Sequence, residues 1–227
     1  MYDLYCPMVE GVEAAYPLEE AEALVKEALA PLGPEYAALL DKAFAGRWID
    51  AYENKGKTTG AFSCGVYGVH PYVLLNFTNT LDDVFTLAHE IGHALHSHQS
   101  DAAQAYANHD YAIFVAEVAS TVNEVLLTLY LLDTEKDPRR RAYYLNHFLE
   151  GFRTTLYRQT LFAEFEMESH AMAQRGEPLT PEVLNGLYRR LNQAYYAGAV
   201  VDDLQDLEWA RIPHFYNAFY VYQYATG

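Results

Sequence analysis

Apolar positions recur at helical spacing through most of this 227-residue chain, and one stretch breaks the pattern. In residues 17–34, Leu18, Ala21, Leu24, Val25, Ala28 and Leu29 share one face. Pro17 stands near the start, glutamates fill the first turn, and Pro31, Gly33 and Pro34 close the helix. A second helix is predicted over residues 35–45, and residues 46–60, rich in Asn, Gly and Lys, read as a loop. The exception follows: GAFSCGVYG (60–68) and YVLLNFT (72–78) are short, aromatic and β-branched, and read as a pair of strands. Everything after Thr80 returns to helix. Thr80 caps a helix that opens LDDVFTLAHEIGHALH (81–96), with Asp82 and Asp83 where the helix dipole favours negative charge. A long apolar helix is predicted over 111–132, and another, opened by Pro138, over 138–174. Thr180 and Pro181 mark a capped start, residues 200–213 an acidic connector, and HFYNAFYVYQYATG (214–227) a tyrosine-rich close. With no repeat and no low-complexity linker, the pattern predicts a mainly α fold with a small β-sheet, one domain over 1–227.

Composition narrows the function classes. No apolar run approaches the length of a membrane span, and the opening MYDLYCPMVEG lacks a basic segment followed by an apolar core. Cys6 and Cys64 are too few for a disulfide framework, which points to a reducing, cytoplasmic setting. A net charge of −16 argues against nucleic acid and anionic membranes as partners. Twenty tyrosines suit a cleft lined for peptide-like ligands as well as they suit a core. The residue pattern does not fix an oligomeric state.

The chemistry concentrates in LAHEIGHALHSH (87–98), which holds four histidines and a glutamate. His89 and His93, four apart, lie on one helix face and can chelate one metal, with Glu90 on the adjacent edge. For this composition, chance supplies roughly 0.03 copies of H-E-x-x-H, so buried core histidines remain the competing reading. Small residues at Gly92 and Ala94 let another element approach. A catalytic zinc needs a third protein ligand, sought on the next helix, where Glu117 and Glu124 stand seven apart among apolar residues. Glu117 is the candidate ligand and Glu124 the carboxylate that would hold a histidine N–H. His70, His96 and His98 read as loop, surface or core histidines. Glu164, Glu166, Glu168 and His170 read as a solvated or salt-bridged helix face, and residues 139–141 as arginines facing water.

LDDVFTLAHEIGHALHS, FVAEVASTVNEVLL and IPHFYNAFYVYQYATG resemble segments of the oligoendopeptidase F branch of the thimet-oligopeptidase family of zinc metallopeptidases. So do GRWIDAYENKGKTTGAFSCGVYG and RQTLFAEFEMESHAMAQRGEPLT, and the resemblance spans nearly the whole chain. It implies a zincin-like catalytic core holding one Zn2+, with His89, His93 and Glu117 as ligands and Glu90 as general base toward a zinc-bound water. It also implies that His214 and Tyr220 face the substrate, with Tyr216 and Tyr224 beside them, and that the 60–68 strand aligns a peptide by β-addition. Members of the family resemble chains more than twice as long, so residues 1–227 correspond to the catalytic portion without the N-terminal lobe and C-terminal tail. The implied activity is hydrolysis of internal bonds in short, unfolded oligopeptides. The alternatives are a zinc metallocarboxypeptidase, or a non-catalytic metal- or peptide-binding fragment that works only with a further lobe.

Overall fold

A computed structural model describes residues 8, 9, 12 and 14–227; Cys6 lies outside them. The chain divides into two compact units. One is Gly11–Leu145 with Gly227; the other is Asn146–Thr226 with the described residues before position 11.

In the first unit, helices α1 (Leu18–Ala28) and α2 (Pro34–Ala45) form where the apolar spacing places them. Strands β1 (Ile49–Asp50), β2 (Phe62–Cys64) and β3 (Tyr72–Leu74) make one sheet in the order β1-β3-β2. β2 runs antiparallel to β3 with Ser63 opposite Val73, and β1 runs parallel to β3 with Ile49 opposite Val73. β1 lies inside the expected loop. Two residues leave no readable alternation, and the strand exists through bonds distant in sequence: Val73 N–H to the Trp48 carbonyl (2.8 Å) and Leu75 N–H to that of Asp50 (2.9 Å).

Helix α3 (Leu81–Ala103) is the axis of this unit. Thr80 Oγ1 accepts from the Asp83 N–H at 3.2 Å while Asp83 accepts from the Thr80 N–H at 2.8 Å, a reciprocal cap. Val84, Leu87, Ala88, Ile91, Ala94 and Leu95 are fully buried, against Val25 of α1, Leu40 of α2 and Leu75 beyond β3 in one core. Helix α4 (Ala116–Thr134) starts later than the pattern predicts, after a 3-10 turn at Ile113–Val115. Its last carbonyls are held by Arg141, which bonds the carbonyls of Leu132 and Glu135, so this arginine does more than face water.

The expectation about apolar runs needs correction. Residues Ile113–Thr134 are, by length and composition, long and apolar enough to cross a membrane. Glu117 and Glu124 interrupt the run to the eye, but a mean over the helix tolerates two charges. In the folded unit one face of α4 buries Glu117, Ser120, Asn123, Leu127 and Leu131, while Val118, Val122, Val125 and Leu129 stay exposed.

Helix α5 (Pro138–Gly151) carries the chain into the second unit. The single helix expected over 138–174 is α5, a π-helical segment Phe152–Tyr157 and α6 (Arg158–Gln174). A wider turn inserts one residue without interrupting helix, which a 3.6-residue pattern cannot register. Helix α7 (Pro181–Tyr195) is capped by Thr180, as its sequence indicates, and α8 (Tyr222–Thr226) ends the unit. Phe162, Phe165, Leu187, Tyr188 and Val221 form its core.

Two expectations change here. Glu166 does not face water: it is buried, and its carboxylate accepts from the Phe219 N–H, where the backbone turns left-handed at φ 57°. The acidic connector is a 3-10 segment, Gln205–Arg211, anchored by buried Glu208. Arg158 (2.6 Å), Arg211 (2.7 Å), the Tyr188 hydroxyl (2.6 Å) and Gln205 (2.6 Å) all donate to Glu208. Burial works to raise the Glu208 pKa, but these donors outweigh it and hold the carboxyl below its ordinary 4.5. The stabilisation is therefore full above about pH 4.5 and is lost as pH falls through the depressed folded value. Glu208→Gln should cost about 3 kcal/mol in urea unfolding at pH 7, because the arginines lose their counter-charge. The gap to the parent protein should narrow toward pH 3; a gap independent of pH would remove Glu208 from the acid sensitivity.

Candidate metal centre

The site is built on the buried middle of α3. Four-residue spacing stacks His89 over His93, with ring centroids 4.7 Å apart and planes at 86°. Their Nε2 atoms are 3.1 Å apart. Glu117 in the first turn of α4 brings Oε2 to 3.3 Å from His89 Nε2 and 3.5 Å from His93 Nε2. Two donors each bound to one tetrahedral zinc at its usual bond length stand about 3.3 Å apart, so the three spacings fit a single ion. Two imidazoles and one carboxylate are also a donor set that suits zinc, and three protein ligands would leave a fourth position for water or substrate.

The surroundings tune this set. His89 Nδ1–H donates to Glu124 Oε1 at 3.2 Å, which fixes the ring and directs the Nε2 lone pair at the focus. The Ser120 hydroxyl, fully buried, donates to Glu117 Oε2 at 3.2 Å. Burial works to lower the His89 pKa, but Glu117 and Glu124 outweigh it and push it well up. Burial likewise works to raise the Glu117 pKa, and His89 and His93 overcome it and hold it well down. Both shifts describe one electrostatic fact: the carboxylates await a cation, which a proton supplies when no metal is bound.

Glu90 differs from its neighbours. It is 7% exposed, and its Oε2 has no hydrogen-bond partner among the described residues. Burial raises its pKa, opposed by His89 and His93 and reinforced by Glu117 and Glu124. A carboxyl held above its ordinary range beside a metal-ligand set is suited to take up and return a proton.

Close helix packing makes the set possible. A Cβ added at Gly92 would stand 2.8 Å from Ser120 Cα and 3.0 Å from the Ala119 carbonyl, both α4 backbone. Glycine at this point brings α4 near enough for Glu117 to reach α3. Asn123, buried on α4, fastens the pair by donating to the Ala88 carbonyl at 3.0 Å and accepting from the Tyr36 hydroxyl of α2 at 3.1 Å. Neither Ser120 nor Asn123 was singled out from sequence, although both lie at spacings of three and six from Glu117, a polar stripe on an apolar helix. Gly92→Ala should force the helices apart, costing about 1–3 kcal/mol of stability and weakening zinc binding. Urea unfolding and zinc titration check this; unchanged zinc affinity would show that α4 can yield without moving Glu117.

The remaining candidates lie in the second unit. His214, Tyr220 and Tyr224 form one ring cluster, each pair of centroids 5.9 Å apart. Tyr216 is 87% exposed. Of the other histidines, His96 stacks on Tyr111 at 3.8 Å, while His70 and His98 contact Trp48.

Comparison with known proteins gives the family of the chain. Residues 12–227 match the model of Peptidase family M3. Oligopeptidase PepF of Bacillus subtilis is 53% identical over all of this chain and 34% of its own length. Group B oligopeptidase PepB of Streptococcus agalactiae is 47% identical, again over all of this chain and 38% of its own. The solved structure of oligoendopeptidase-F from Enterococcus faecium superposes with a TM-score of 0.64 at 41% identity, covering 99% of this chain and 32% of that one. The chain thus spans little more than a third of the length of these two curated relatives.

Proposed function

Because this chain belongs to peptidase family M3, we propose that it is the catalytic portion of a zinc-dependent endopeptidase acting on short, unfolded oligopeptides. The observation that carries the reading is the convergence of His89, His93 and Glu117 at spacings suited to one ion. On this reading α3 is the active-site helix of a zincin-like core and carries His89-Glu90-x-x-His93.

When bound, zinc supplies Lewis acidity, which makes water nucleophilic near neutral pH and polarises a peptide carbonyl. The protein's own groups supply the rest. With the ion bound, His89 and His93 would present unprotonated Nε2 atoms to it, and Glu124 would keep the His89 proton on Nδ1. Glu117 contributes the negative ligand, oriented by Ser120. Glu90 takes a proton on its carboxylate during attack and returns it to the departing amine. By the resemblance, His214 and Tyr220 are the residues that would offer N–H and O–H donors to the substrate, with Tyr216 and Tyr224 beside them in sequence. The β2 edge aligns the peptide backbone by strand addition. The exposed free thiol of Cys64 suits a reducing, cytoplasmic setting.

The test is cleavage of an internally quenched peptide with both ends blocked, by zinc-loaded protein and by chelator-treated protein. Zinc-dependent cleavage is expected. Blocked ends separate an endopeptidase from a carboxypeptidase, which needs a free C-terminal carboxylate. Zinc binding without cleavage would support the reading of a fragment that needs a further lobe.

A further inference from the structure

Strand β2 is an outer strand of the sheet, and the bonding of β3 fixes which of its backbone groups are spare. The Val73 and Leu75 N–H groups turn toward β1 and bond the carbonyls of Trp48 and Asp50. Backbone groups alternate in direction along a strand, so Tyr72 and Leu74 turn toward β2 instead. Their register partners are Cys64 and Phe62. Those two residues direct their backbone groups at β3, and the N–H and carbonyl of Ser63 between them face away from the sheet.

The same alternation separates the side chains. Ser63 lies opposite buried Val73, and Gly65 shares its face. A Cβ on Gly65 would stand 2.9 Å from Ser97 Cβ, and Ser97 follows His93 by about one turn of α3. This face of β2 is therefore laid on the helix that carries the candidate metal ligands. The other face is open and apolar. Phe62 is 47% exposed and Cys64 is exposed, with Leu74 opposite the first and Tyr72, 51% exposed, opposite the second. None of these four side chains is an acid or a base that would favour a charged neighbour near neutral pH.

An edge with spare N–H and carbonyl groups beside an exposed apolar face is suited to an extended peptide. We propose that Phe62 and Cys64 select the peptide: pairing through the Ser63 backbone sets one peptide residue beside Ser63, on the α3 side, and its two neighbours beside Phe62 and Cys64, where apolar side chains are favoured. The preference falls on two peptide positions separated by one residue. It does so whichever way the peptide runs, because side chains alternate with period two in both directions. Each such contact across strands is worth about two- to fivefold in binding. That the bound peptide is a substrate rests on the endopeptidase reading; the pairing with β2 does not.

End-blocked peptides carrying one phenylalanine and one cysteine, activated as its 2-pyridyl disulfide, report the register, because Cys64 marks one of the two positions. The Cys64 thiolate attacks the peptide sulfur, a protein–peptide disulfide forms, and pyridinethione leaves and is followed by its absorbance. Cys6→Ser confines capture to Cys64. The two residues are placed adjacent, or separated by one or by two others, in both orders. With one residue between them, one of the two orders should be captured at least about threefold faster than peptides of any other spacing. Phe62→Ala alters an exposed side chain, so zinc content should hold, while all rates should fall within about twofold of each other. Capture of a peptide lacking phenylalanine should not change, which shows that the Cys64 thiol itself is unaltered. Equal capture at every spacing, or an advantage that survives Phe62→Ala, overturns the proposal. Cleavage of quenched peptides is scored separately. Spacing-dependent capture without cleavage leaves the peptide register standing and sinks the endopeptidase reading, while cleavage with capture blind to spacing does the reverse.

Discussion

Glu90→Gln should leave zinc stoichiometry unchanged and reduce cleavage of an end-blocked peptide by about 10²–10⁴-fold. Glutamine keeps the shape of the side chain, so the helix and the neighbouring histidines are not disturbed. What it loses is the ability to take up a proton. Glu90 is the buried carboxylate of the cluster left with an unpartnered oxygen, whereas Glu117 is committed to His89, His93 and Ser120. A carboxylate kept out of water without a partner costs stability, and the proposed proton transfer would give a reason to retain it. The loss should therefore fall on kcat with little change in KM, and the thermal midpoint should not drop. Activity within tenfold of the parent protein's would take Glu90 out of the proton-transfer role and leave its burial unexplained.

Removing Glu117 should have the other large effect, on the metal itself. Zinc binding of roughly 10 kcal/mol or more, shared among few protein donors, implies about 3 kcal/mol or more for each, a loss of at least about 100-fold in affinity. Glu117→Ala also leaves His89 without the acceptor beside its Nε2 and exposes the α3–α4 seam at Ser120. His93→Ala should lose zinc comparably, while Glu124→Gln, which touches only the far side of the His89 ring, should cost about tenfold. The graded order is the test, read by zinc titration against a chromogenic chelator. A Glu117→Ala protein that keeps parental affinity would mean that another group supplies the third bond.

Much of this site was legible in the residues. The four-residue interval of His89 and His93 on an apolar helix settles that their side chains share a face, and the Thr80 cap settles where that helix starts. Glu117 stood out because a carboxylate in an apolar helix needs a cation. Glu166 reads as solvated, and Glu208 draws no attention, for the opposite reason. Each sits in a polar stretch that reads as solvated, and each is buried only because Phe219 or Arg158 arrives from distant chain. β1 was likewise invisible, since two residues become a strand only when β3 is laid beside them.

The sequence by itself determined which side chains could bind a metal and that His89, Glu90 and His93 ride one helix, because helix geometry is set by local spacing. Tertiary structure decided that Glu117 meets them, through the close approach of α4 over Gly92 and the Asn123 clamp. It also decided which carboxylates are buried and whether each finds a partner. Those outcomes depend on contacts between residues far apart in the chain, where packing and desolvation, rather than spacing, set the energy.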